Sequence, residues 1–125
     1  MKTKKILIID ENGFARVCSA ILESKGHEVE NISLSDNPST KLSNDELGLI
    51  ITSYPYCAIF LETIKKKNIP VLILSDHIDN DLFSILKGID NSYCMIKPLD
   101  YDKFRYLVAQ IITGESIPQG GYCIV

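Results

Sequence analysis

The chain has 125 residues, with 13 Lys+Arg against 16 Asp+Glu and a net charge of −3. One hydrophobic core suits that length, and 46% apolar with 23% charged residues marks a folded globular chain rather than a disordered or fibrous one. The acidic balance excludes nucleic acid as the main partner, since phosphates are gripped by clustered Lys and Arg. No apolar run nears the ~18 residues that cross a bilayer. The four aliphatic residues before Asp10 are too few for a secretion signal. A cytoplasmic protein without membrane contact is expected. Its cysteines, Cys18, Cys57, Cys94 and Cys123, form no Cys-x-x-Cys pair. They are expected as free thiols, Cys123 the most exposed, and a zinc site has no support.

In chain order, residues 6–9 form an aliphatic run of strand length. Phe14, Val17, Cys18, Ile21 and Leu22 then recur at helical spacing until Gly26 stops the helix. Residues 27–32 alternate polar with apolar and read as an edge strand. Residues 33–46 hold five Ser/Thr, namely Ser33, Ser35, Ser39, Thr40 and Ser43, and predict a short or irregular second helix. Residues 49–51 are a third strand and 58–67 a short helix, whose Lys65, Lys66 and Lys67 suit the negative pole of its dipole. Residues 71–74 are a fourth strand. Asp79 caps a helix carrying Leu82, Ile85, Leu86 and Ile89. Residues 93–96 are a fifth strand, and Phe104, Leu107, Val108, Ile111 and Ile112 line a last helix that ends before Gly114. Strands apolar at every position are covered on both faces. The expected fold is therefore α/β: a doubly wound, five-stranded parallel sheet with helices on both faces. Residues 1–113 make the domain and 114–125 a tail, which can pack back on it, pair with a sheet edge or anchor a partner.

Ligands of such sheets bind beyond the carboxyl ends of the strands. The residues there are Asp10 and Glu11 after strand one, Thr52 and Ser53 after strand three, Ser75 and Asp76 after strand four, and Lys97 with Pro98 after strand five. Carboxylates and hydroxyls suit a hard cation such as Mg²⁺, and a lysine suits a phosphoryl group. The chemically plainer alternative for Asp10 and Glu11 is a favourable start to the next helix.

These residues resemble the receiver domains of two-component response regulators (CheY-like, flavodoxin-like fold), over residues 4 to about 112. KKILIIDEN is similar to the family's first strand and Mg²⁺-holding acidic pair, matched by Asp10 and Glu11. PVLILSD is similar to the fourth strand, with Ser75 at the phosphoryl-contacting hydroxyl. MIKPLD is similar to the fifth strand, with Lys97 and Pro98 at its Lys-Pro pair. The family's phosphoacceptor Asp is absent, because LGLIITSYPY places Ser53 there, or Thr52 on a one-residue slip. The resemblance thus implies an atypical receiver, a pseudo-receiver with no catalytic residue, a vestigial phosphoryl site (Ser53, Thr52, Ser75, Lys97) and weak or absent Mg²⁺ at Asp10 and Glu11.

A serine with no adjacent general base is a poor nucleophile, and acyl phosphate requires a carboxylate. The loop after strand three is short for the family, and either Tyr93 or Cys94 stands at its aromatic switch position. The implied partners are signalling proteins, a histidine kinase or an output protein, with residues 79–112 as the docking and homodimer surface. A phosphocarrier would place its nucleophilic Cys directly after strand one, where Asp10 stands. A flavodoxin-like ligand domain would need a phosphate-cradling loop that Glu11, Asn12 and Gly13 do not provide. Ser75, Asp76 and His77 are triad residue types, but neighbours in sequence cannot turn inward together.

Overall fold

The computed structural model describes residues 5–10, 12–32, 47–54, 62, 69–89, 91–97, 100–113 and 122–124. The strands are β1 (Lys5–Ile9), β2 (Val29–Ile32), β3 (Leu47–Ser53), β4 (Val71–Ser75), β5 (Ser92–Ile96) and β6 (Tyr122–Ile124). The helices are α1 (Asn12–Glu23), α2 (Asn80–Gly88) and α3 (Tyr101–Thr113). Among the described residues all pairings are parallel, in the order β2-β1-β3-β4-β5-β6. The five expected strands are present, with residues 29–32 at the edge. The sheet differs from a five-stranded one in its sixth strand, which the tail supplies: Ser92, Tyr93 and Cys94 of β5 pair with Tyr122, Cys123 and Ile124. The expected irregular stretch 33–46 and helix 58–67, with Cys57, lie outside the described residues, apart from a helical Glu62.

The doubly apolar strands sort into two layers by alternation. Ile6, Ile8, Leu49, Ile51, Leu72, Leu74, Tyr93 and Met95 pack on Cys18 and Leu22 of α1 and on Phe104, Leu107 and Val108 of α3. Leu7, Ile9, Ile50, Val71, Ile73 and Cys94 face Leu82, Ile85 and Leu86 of α2. Tyr93 is therefore a core residue of the α1–α3 layer, and Cys94 belongs to the α2 layer. Gly26 closes α1 at φ +88°, a conformation glycine adopts without steric cost, and His27 N–H reaches back to the Leu22 carbonyl. Asp79 caps α2, accepting from Leu82 N–H at 2.8 Å. Asp100 caps α3 by accepting from the N–H groups of Asp102 and Lys103. Among the described residues no helix is long and apolar enough to cross a membrane.

Candidate functional site

Parallel register brings the strand ends to one rim: Ile9 stands beside Thr52, Ser53 beside Leu74, and Ser75 beside Ile96. The ladder continues one residue further, with Tyr54 N–H donating to the Leu74 carbonyl and Lys97 N–H to the Ser75 carbonyl at 2.7 Å. All the described candidates therefore end on the same edge. They do not form one cluster, because the pleat divides them. Ser53 follows Leu49 and Ile51 on the α1–α3 side, whereas Thr52 and Ser75 follow the alternate residues toward α2.

On the α1–α3 side the polar pair at the strand ends is buried. Asp10 and Ser53 are 2% and 1% exposed, and the Ser53 Oγ–H donates to Asp10 Oδ2. From sequence alone Ser53 has no neighbouring base, and the fold corrects this by placing the Asp10 carboxylate on its hydroxyl. Of the two hydroxyls at this strand end, Ser53 and not Thr52 engages Asp10. Lys97 lies with its Nζ 4.3 Å from the centre of the Phe14 ring of α1, a cation–π contact. Cys18, buried in α1, has its thiol pushed up to about 12, first by burial and then by the Asp10 charge, with Lys97 opposing. Cys94 is likewise buried and raised by desolvation.

Thr52 is fully buried, and its Oγ1 has no hydrogen-bond partner among the described residues. As donors for Mg²⁺ on the α1–α3 side, the described residues supply one carboxylate, Asp10, with one oxygen already accepting the serine proton. No group of three His, Cys, Asp or Glu side chains forms a metal site among them. The described set does not fit a hard cation that seeks several free oxygens. Glu11, the second acid, and Pro98 lie outside the described residues.

On the α2 side the arrangement is exposed and charged. The Ser75 hydroxyl donates to the His77 carbonyl at 2.6 Å, and His77 N–H approaches the same hydroxyl oxygen at 3.3 Å. Ser75 is thus closed on its own loop. His77 Nδ1 lies 2.6 Å from Asp76 Oδ1, and Nε2 lies 2.9 Å from Asp79 Oδ2. The Tyr54 hydroxyl donates to Asp79 Oδ2 at 3.3 Å, and its ring meets the imidazole edge-on at 5.8 Å. Asp76 points outward, as expected from its place beyond the strand. Sequence spacing flagged Asp79 only as a cap and His77 only as a rejected triad member. The signal was available in the run Asp76-His77-Ile78-Asp79, a histidine between two acids.

No protein-family model and no curated protein matches this chain in sequence. Solved structures do. A response regulator from Thermotoga maritima superimposes with a TM-score of 0.72 at 20% identity, covering 90% of this chain and 99% of that one. A CheY-like receiver domain protein from Methanospirillum hungatei gives 0.73 at 18% identity, over 91% and 97% of the two chains. NtrX from Brucella abortus gives 0.75 at 19% identity, over 91% of this chain and 27% of that longer one. The chain has the fold of these CheY-like receiver domains.

Proposed function

We propose that this chain is an atypical receiver domain of two-component signalling, one that works through protein–protein contact without phosphorylation of an aspartate. The observation that carries this reading is the Ser53–Asp10 hydrogen bond at the end of β3. At the acceptor position we read an alcohol, Ser53, whose proton is already committed to the Asp10 carboxylate. Acyl-phosphate chemistry needs a carboxylate nucleophile, and Ser53 is not one. Asp10 could take the serine proton, but both groups are almost wholly buried, so a donor's phosphorus has no line of approach.

With one oxygen of Asp10 occupied, Mg²⁺ binds weakly or not at all. The protein has no catalytic activity of its own. Its partner is a signalling protein, a histidine kinase or an output protein, met in the cytoplasm through residues 79–112. Tyr101 and Tyr106, 42% and 67% exposed on α3, support a protein-facing surface there, for an output partner or a second copy.

The test is incubation of the full chain with acetyl phosphate and Mg²⁺, followed by intact-mass measurement and acid and hydroxylamine treatment. No phosphoryl adduct is expected. A stoichiometric acid-labile adduct overturns the reading, and an acid-stable one on Ser53 would replace it with serine chemistry.

A further inference from the structure

His77 is 57% exposed in its side chain, yet both of its ring nitrogens face carboxylate oxygens at hydrogen-bonding distance. A neutral imidazole carries one N–H, so one of these contacts would set a nitrogen lone pair against an anion. Only the imidazolium donates to both. The two carboxylates are tied elsewhere in unequal degree. Asp79 Oδ1 caps α2 through Leu82 N–H, and its Oδ2 also accepts from Tyr54 at the end of β3. The backbone carbonyl of His77 in turn accepts the Ser75 hydroxyl. The ring is therefore linked through Asp79 to Tyr54 just past β3 and to the first turn of α2, while Ser75 at the end of β4 holds the backbone of the same residue.

We propose that this cluster is a proton-operated switch: protonated His77 clamps the β4–α2 loop onto Asp76, Asp79 and Tyr54, and loss of the proton releases it. The proposal rests on the receiver reading above, where it supplies a trigger at the rim that does not involve phosphate. Among the described residues, the groups facing His77 are Tyr54 just past β3, Asp76 from the loop and Asp79 from the α2 cap, and the Lys97 charge past the end of β5 acts on Asp76. Hydrogen bonding by Asp76 first, and Asp79 next, holds the imidazole above its ordinary 6.5. The charge change is therefore displaced upward from that ordinary value, and histidine is the side chain whose charge changes nearest neutral pH.

The test is an NMR titration of the full chain between about pH 5 and about pH 9, following both imidazoles, the Leu82 amide and the Tyr54 ring. His27 is an internal reference, lowered from 6.5 by burial. His77 is expected to titrate above His27, with the Leu82 and Tyr54 signals moving at the same midpoint. His77→Gln should abolish that movement while the exposed site leaves the fold intact. A His77 midpoint at or below that of His27, or Leu82 and Tyr54 signals that ignore it, overturns the switch. No phosphodonor enters this titration. An acyl phosphate found on the chain would therefore defeat the receiver reading alone, and a flat titration the switch alone.

Discussion

The two halves of the rim answer the same problem, unpaired polar groups at strand ends, in opposite ways. Toward α1 and α3, Asp10 and Ser53 hydrogen-bond while buried, and Lys97 rests on the Phe14 ring. Toward α2, Asp76, His77, Asp79 and Tyr54 form an ion and hydrogen-bond network in contact with water. The buried half gains strength from low dielectric and gives up responsiveness, because any change there leaves a group unpaired. The exposed half is individually weak, since water screens it, but it can gain and lose a proton at little cost. On the proposed reading, a domain that signals without phosphate needs the first to be inert and the second to be free to change.

The largest test of this contrast lies in the buried layer. Phe104 is fully enclosed between α3 and the sheet, and Phe104→Ala should cost about 3–5 kcal/mol in urea denaturation by transfer and cavity terms. Next, Ser53→Ala removes a hydrogen bond to a buried carboxylate and should cost about 1.5–3 kcal/mol, whereas Ser75→Ala, whose hydroxyl among the described residues bonds its own loop, should cost about 1 kcal/mol or less. Equal losses at the two serines would erase the distinction between the halves. Thr52→Val should stabilise by about 1 kcal/mol, because it replaces a buried hydroxyl that has no partner among the described residues with a methyl group of matching shape.

The smallest effect is the pH dependence of the exposed half. The folded state raises the pKa of His77, so its contribution is fully present below 6.5 and is lost as pH rises through the raised value. Backbone hydrogen bonding by Leu82 lowers Asp79, and the His77 hydrogen bond lowers Asp76. Their contributions are present above 3.8 and are lost as pH falls through the lowered values. The stability difference between wild type and His77→Gln should therefore be widest between 3.8 and 6.5, and narrow on the alkaline side. A difference that grows with alkali would reverse the assigned sign. Cys18, with its thiol at about 12, should resist alkylation at mild alkaline pH until the chain is unfolded.

Most of the fold was legible because its signals are local. Continuous aliphatic runs gave four strands, helical spacing gave α1, α2 and α3, and Asp79 announced its cap. Strand ends named the rim residues without any contact information. What stayed hidden was lateral. Alternation through β3 places Ser53 beside Asp10 and turns Thr52 to the other layer, and a one-residue ambiguity in the strand boundary blurs that choice. The sixth strand was one of three fates open to the tail, because a three-residue parallel pairing is set by tertiary contact rather than by propensity. The His77 network escaped because its members come from β3, a loop and a helix cap, which no sequence period connects.

The most direct test of the central claim is a titration of the full chain with beryllofluoride and Mg²⁺, watched through the amide signals of Asp10, Ser53 and Lys97. With Ser53 held on Asp10, those signals should stay in place at every concentration. Saturable shifts at all three would mean that the rim still accepts a phosphoryl mimic, and the account of a closed, phosphate-blind pocket would be wrong.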